Sequence, residues 1–300
     1  MCFILCASQG GREGRAGSPL PAAARTECAP CHQRLRHYCF IARTVAVAIP
    51  LILGLEAAQP AGAAADAPSA ASTPASRAEA AYRELRVRYE SGPTNVVAAW
   101  KFASACFDEC EFSRNDGDRA RVANQGIAAC RQALSLDPKA VGAHYYLGMD
   151  LAQLARTEML GALNLLDEVE KEWEAAIKLD ENFDYAGPDR NLGLLYRDAP
   201  GWPLSIGNRA KAREHMFRAV TLHPDYPENH LNLIESLLKW DNHAEGAKAA
   251  AALEKILPEA KKKLTGPDWE SSWDDWNKRW KAIQAKLRPP SGLVPPHQRR

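Results

Sequence analysis

Of the residues whose types and spacing could do chemistry, CAPCH, Cys28 to His32, carries the most specific pattern. Two cysteines with two residues between them and a histidine directly after the second match the attachment motif of a c-type haem. Haem is attached after export, however, and this motif lies upstream of the uncharged run TVAVAIPLILGL, Thr44 to Leu55, in the part that would stay behind or be removed. No second cysteine pair follows at a zinc spacing, so a metal site lacks half its ligands. Three further cysteines, Cys106, Cys110 and Cys130, fall in the body of the chain. On a helix Cys106 and Cys110 share one face, and in an oxidising compartment one of them could bridge to Cys130. Three buried thiols acting as small hydrophobes are the equal alternative. The eight histidines form no HExxH motif, and the glycines form neither a phosphate loop nor a dinucleotide fingerprint. Neither cofactor, metal nor catalytic group is expected, and the chain reads as a non-enzyme.

One cationic pair could bind a ligand. Arg190 and Arg197 are seven apart, nearly on one helical face, and could grip the carboxylate of a small acid or a peptide terminus. The competing reading pairs them with Asp189, Asp198 or Glu228 on the protein itself.

The elements that position these residues are repeats. Short helix-ending signals recur as SLDP at Pro138, KLDE at Glu181, TLHP at Pro224 and again at Pro258, in steps of 43, 43 and 34 residues. Before each of the first three, Ala133, Ala176 and Ala219 stand at one position, with Gly126, Val169 and Ala212 seven residues earlier. The preceding helices read HYYLGMDL, around Leu147 and Gly148, and RNLGLLY, from Leu192 and Gly193 to Tyr196. Small residues at helix crossings, large ones between them and a proline at the close define tetratricopeptide units of two antiparallel helices. The expectation is an all-α, tetratricopeptide-like right-handed superhelix of about four helix pairs. Register places Tyr145, Met149 and Gln153, then Arg190, Leu194 and Arg197, then Glu228, Leu231, Glu235 and Lys239 on the inner wall, where partners of such arrays bind.

The long units carry inserts. ARTEMLGALNLLDEVEKEW keeps apolar residues at helical spacing through Leu160, Leu163, Leu166 and Val169, which predicts extended or shifted helices. In the next unit Pro188 suits a helix start, and the loop APGWPLSIGN, Ala199 to Asn208, carries Trp202 and Ile206, expected to order against the body, with Trp202 a candidate contact. After Pro258, Trp269, Trp273, Trp276, Trp280 and Ile283 advance by four, three, four and three, with Asp268 at the expected N-cap. This stripe predicts a capping helix for the last repeat; left exposed it would anchor a partner or a second copy.

At the amino terminus Arg34, Arg36 and Arg43 precede the Thr44 to Leu55 run, and Ala61 to Ala65 offer small-residue cleavage points, the pattern of a secretory signal. The resulting plan is an extension plus signal over 1–63, an Ala/Pro/Ser linker over 64–78, the solenoid with its Trp-rich cap over 79–287, and a disordered tail over 288–300. Net charge is +1, and without residues 1–63 there remain 32 basic and 34 acidic side chains, which gives no global attraction for nucleic acid.

WKFASACFDE at Trp100, HYYLGMDLAQLA at His144, NLGLLYRDAPGWPLSIGNRAKAREHMFRAV, PDYPENHLNLIESLL and the Trp-rich end together resemble the TatT proteins, the T component associated with TRAP transporters, over roughly residues 80 to 285. The resemblance implies an exported, non-enzymatic helical-repeat protein working beside a substrate-binding protein and a permease, with a protein partner or a small acidic or amphipathic ligand. The chain departs from that family in lacking a lipobox after the apolar run. The alternative in another class is a periplasmic assembly or envelope-structure factor with no small ligand.

Overall fold

Asparagine recurs just ahead of the helices. Asn95, Asn115, Asn208 and Asn242 turn side-chain oxygens onto first-turn N–H groups of Ala98, Asp118, Ala210 with Lys211, and Glu245, and Thr73 does the same for Ser76. Each such cap contributes about 1 kcal/mol. Pro227 and Pro267 open two more helices at the position where a missing N–H costs nothing. The computed structural model describes residues 73–158 and 161–288. Among them it has ten helices: α1 Pro74–Ser91, α2 Val96–Cys110, α3 Asp116–Leu136, α4 Val141–Ala155, α5 Ala162–Leu179, α6 Phe183–Asp198, α7 Arg209–Leu222, α8 Pro227–Lys239, α9 His243–Lys263 and α10 Pro267–Leu287.

They form four hairpins, α2 with α3, α4 with α5, α6 with α7 and α8 with α9, and the first helices also stack on one another from α2 through α4, α6 and α8 to α10. Glycine makes the crossings close. A Cβ on Gly148 would meet Trp173 Nε1 at 2.5 Å, and one on Gly193 would meet Met216 Cγ at 2.7 Å. Trp173 lies flat enough on α4 to donate its indole N–H to the carbonyl of Tyr145 at 3.1 Å. The main core runs from Phe107 and Ile127 through Tyr146 and Trp173 to Tyr196, and a second core around Tyr226, Ile234, Leu253, Trp276 and Ile283 joins the last hairpin to α10. The Trp-rich helix is therefore a cap: Trp276 is buried, and Trp269, Trp273 and Trp280 pack partly buried against the second core.

Three boundaries differ from the sequence expectation, and a fourth is sharpened. Helix α1 starts at Pro74, inside the span expected as linker, because Tyr82, Leu85 and Tyr89 cover the Phe102, Cys106 and Val122 cluster. Pro258 does not close α9, which runs on to Lys263; burial of Ala260 and Leu264 in the second core offsets the one backbone hydrogen bond that proline removes. Pro188 does stand at a helix start: the span Phe183–Asp198 opens with Asp184, Tyr185 and Ala186, all left-handed with φ of 51°, 54° and 58°, and the right-handed turns of α6 follow this kink from Gly187 and Pro188. Asp268 is not the N-cap of α10; Gly266, at φ 96°, takes that place, with Pro267 first in the helix. The unit-2 insert lengthens α5 at its start, with Leu166 and Val169 buried. The haem-like motif, the signal-like run, Leu160 and residues 289–300 lie outside the described residues.

Candidate functional site: the inner helix layer and the 199–208 loop

Each inner helix is packed by its own hairpin partner on one side and by the preceding and following inner helices on two others. Side chains that do not face the hairpin partner therefore meet the neighbouring repeat. Tyr145 and Met149 of α4, Arg190 and Leu194 of α6, and Glu228 and Leu231 of α8 are all buried. Register placed these residues on an open inner wall; they are instead buried, and Leu194 shares a core cluster with Met216 of its hairpin partner α7 as well as with Leu233 and Leu237 of α8.

Polar bonds cross each of these contacts. Gln153 of α4 donates to Glu111, just beyond α2. From α6, Asn191 donates to the Tyr145 hydroxyl oxygen at 3.2 Å and to Met149 Sδ at 3.0 Å. The Tyr145 hydroxyl in turn donates to Asp184 Oδ2 at 2.5 Å. Arg190, only 1% exposed, sends Nη2 to Asp184 Oδ2 at 2.7 Å and Nη1 to Asn229 Oδ1 at 3.2 Å, with the Asp184 and Tyr185 carbonyls at 3.2 and 3.3 Å, and lies 5.3 Å over the Tyr226 ring. Burial works against its charge, but Asp184, Tyr145, Tyr226 and Glu228 outweigh burial and hold the guanidinium protonated. Arg197 and Lys239 share Asp198, and Arg197 also donates to Ser236 Oγ at 3.0 Å. Burial acts against ionisation of Asp198, yet these two cations together hold its carboxyl below the usual range.

The ladder ends on the cap. Arg279 of α10 donates to Glu235 at 2.9 Å and to Asn232, with Glu228 Oε1 3.8 Å away. Burial, opposed by Arg190 and Arg279, raises the Glu228 carboxyl to about 7. Of the residues expected to line the wall or to bind, Arg197 and Glu235 keep partial exposure and Lys239 and Trp202 are exposed, Trp202 at 90%; the other seven are buried in the ladder or the core. The self-pairing expected for Arg197 with Asp198 is present. Arg190 instead takes Asp184, six residues earlier, a partner that no regular helix could offer and that the left-handed bend supplies. Asp189 accepts from His215 at 2.8 Å.

Sequence reasoning missed Asp150, buried with both oxygens unpartnered, and the pair His144 and Glu172, 2.6 Å apart, in which the carboxylate raises the imidazole. Cys106, Cys110 and Cys130 are buried free thiols, all raised chiefly by burial and so inert as nucleophiles. Among the described residues no group of three or more His, Cys, Asp or Glu could hold a metal ion, and no helix is long and apolar enough to cross a membrane.

The 199–208 loop is held by its backbone. Gly207 N–H donates to the Pro200 carbonyl at 2.8 Å, Asn208 N–H to Tyr196 at 2.9 Å and Leu204 N–H to Gly201 at 3.1 Å, and Ile206 packs on the main core. Trp202 does not follow Ile206 inward. It projects outward, with Leu204 64% exposed beside it.

Over residues 64–186, less than half of the chain, the sequence matches the family model of Regulator of microtubule dynamics protein 1-3. No curated protein matches. Among solved structures the chain is similar to a thermophilic tetratricopeptide protein of Thermus thermophilus, at 19% identity and TM-score 0.52, covering 70% of this chain and 91% of that one. At that identity the likeness speaks for the fold, a tetratricopeptide-like helical array.

Proposed function

We propose that the protein is a non-enzymatic, exported scaffold that binds other proteins. The observation that carries this reading is the stack of four hairpins with a cross-bonded inner layer: its polar groups are committed to holding repeats in register, and what it offers to other molecules is extended surface on a stiff frame. Two readings of the partner follow from two similarities. The transporter T-component resemblance points to a solute-binding protein beside a membrane permease. The family matched over residues 64–186 is named for regulation of microtubule dynamics, which points to a protein that takes part in such regulation.

The test is cross-linking in cells with the tagged full chain, followed by mass spectrometry of proteins and small molecules. One protein class, cross-linked through exposed lysines such as Lys211 and Lys239, is the expected result, and its identity separates the two partners. A stoichiometric small molecule with no protein captured would overturn the proposal. Sequencing the amino terminus checks export, which fails if residue 1 is intact.

A further inference from the structure

Glu228 is the buried acid that the inner ladder leaves least satisfied. It is 2% exposed, at the start of α8 and facing α10, and its Oε1 has no hydrogen-bond partner, while Oε2 has the Tyr226 hydroxyl at 3.4 Å. Two guanidiniums are near, and each is committed elsewhere. Arg190 of α6 holds Asp184 and Asn229. Arg279 of α10 turns Nε and Nη2 onto the two carboxylate oxygens of Glu235, both at 2.9 Å, and Nη2 also onto Asn232, which leaves Glu228 Oε1 3.8 Å from Nη1. That Nη1 already has Asp275 Oδ2 at 3.5 Å. An ionised Glu228 would thus be buried with attraction from a distance but no hydrogen bond on Oε1, a cost that the neutral acid avoids.

We infer that Glu228 is a proton-controlled latch for the cap: as the neutral acid it lets α10 close on α8, and its ionisation releases α10 while the four hairpins stay folded. The release is local because of where the acid sits. Helix α10 follows the last hairpin and docks chiefly on α8 and α9, whereas each hairpin is closed by its own two helices. When α10 lifts, water reaches Glu228 and its carboxyl returns to the ordinary range, near about 4.3. Docked, it stands at about 7, so the closed cap holds the proton more tightly than the released one. Docking is therefore fully supported below about pH 4, weakens as pH rises, and has lost this support above about 7.

The groups around Glu228 do not cancel this. They are Arg190 and Asp184 from α6, the Tyr226 hydroxyl ahead of α8, Arg279 and Asp275 from α10, and Glu235 of α8 beyond Arg279; among the described residues no charged side chain of α7 or α9 pairs with it. Both guanidiniums stay charged throughout the window. Burial raises Asp184 and Asp275 as well, so the carboxyls at this seam act in one sense. Release would uncover an aromatic face, Tyr226 with Tyr185 stacked on it at 4.3 Å, from which Trp269 and Trp276 withdraw.

Hydrogen exchange of the full chain, read by mass spectrometry of its peptides, separates the cap from the hairpins. From pH 6 to pH 8 the protection factors of α10 should fall about tenfold relative to those of α4 and α5, the ratio set by carboxyl values of about 7 docked and about 4.3 released. In Glu228→Gln, which keeps the shape and cannot ionise, the fall should be absent; in Asp275→Asn it should remain. An equal fall in the hairpins would overturn the inference, since the whole fold and not the cap would then be opening. So would a fall that persists in Glu228→Gln or vanishes in Asp275→Asn, which would place the proton elsewhere, or protection that is flat or rises with pH in the wild type.

Discussion

Asp150 reaches from α4 into the crossing with α3, where both carboxylate oxygens are buried without a hydrogen-bond partner and a Cβ on Gly126 would land on Oδ2. Burial, with Asp108 adding repulsion, pushes this carboxyl well above the usual range, so it sits in the fold as the neutral acid. The folded state then holds its proton more tightly than the unfolded state. That contribution is fully present below the unfolded carboxylate range, near pH 4, and is lost as pH rises through and above it. Asp150→Asn, which cannot ionise, should therefore raise stability at pH 7 by about 1–2 kcal/mol and leave it nearly unchanged at pH 4, as read by chemical denaturation. A gain of equal size at both pH values would show that ionisation is not the cause. Gly126→Ala should cost about 1–3 kcal/mol by overpacking, and much less in an Asp150→Ala background, a coupling that a double-mutant cycle measures. The spacing of small residues marked Gly126 as a crossing position. It could not show that the opposing side chain is an acid, because each crossing is filled differently: Asp150 at Gly126, Trp173 at Gly148 and Met216 at Gly193.

The cap is the element whose docking depends most on charge. Apolar spacing through Trp269, Trp276 and Ile283 made α10 legible as a helix with one inward stripe, and that stripe is what covers Tyr226. Arg279 was not legible, since its acceptors Asn232 and Glu235 lie on α8, more than forty residues earlier. Glu228 sits between Arg190 of α6 and Arg279 of α10, with Asp184 and Asp275 as nearby carboxylates. With its folded value near 7 against an unfolded value of about 4.3, it destabilises progressively as pH rises from about 4 to 7 and fully above that window. Glu228→Gln should thus stabilise the protein by about 1–3 kcal/mol at pH 8 and by little at pH 5. Loss of stability at pH 8 would mean instead that the ionised carboxylate holds the cap. At the second hairpin Gly148→Ala should displace Trp173 from the Tyr145 carbonyl and cost about 1–3 kcal/mol, visible as a lower melting temperature and a shifted tryptophan emission.

Across the whole molecule, the steps of 43, 43 and 34 residues were enough to read the hairpin array, because each unit repeats the same small-residue crossings. What the repeats did not reveal is that the inner layer is closed. Register says which side chains turn away from the hairpin partner; it does not say how near the next repeat comes, and that depends on long-range packing of α4, α6, α8 and α10. The bend at Asp184 to Ala186 was hidden for a related reason. The sequence DYAGPDR carries a proline that fits a helix start, and three left-handed residues before it are tolerated only because Arg190 and Tyr145 hold Asp184 in place.

The central claim is that buried polar groups brace repeat against repeat, so that Arg190 belongs to the frame and partners bind elsewhere. The most direct measurement pairs the stability of Arg190→Met with its capture of the cross-linked partner, at a temperature where the variant is still folded. Removing this guanidinium leaves Asp184 buried and uncompensated, and should cost about 3–5 kcal/mol, while capture by the folded fraction stays at the wild-type level. Unchanged stability with capture lost would contradict the account and make Arg190 a ligand-binding residue.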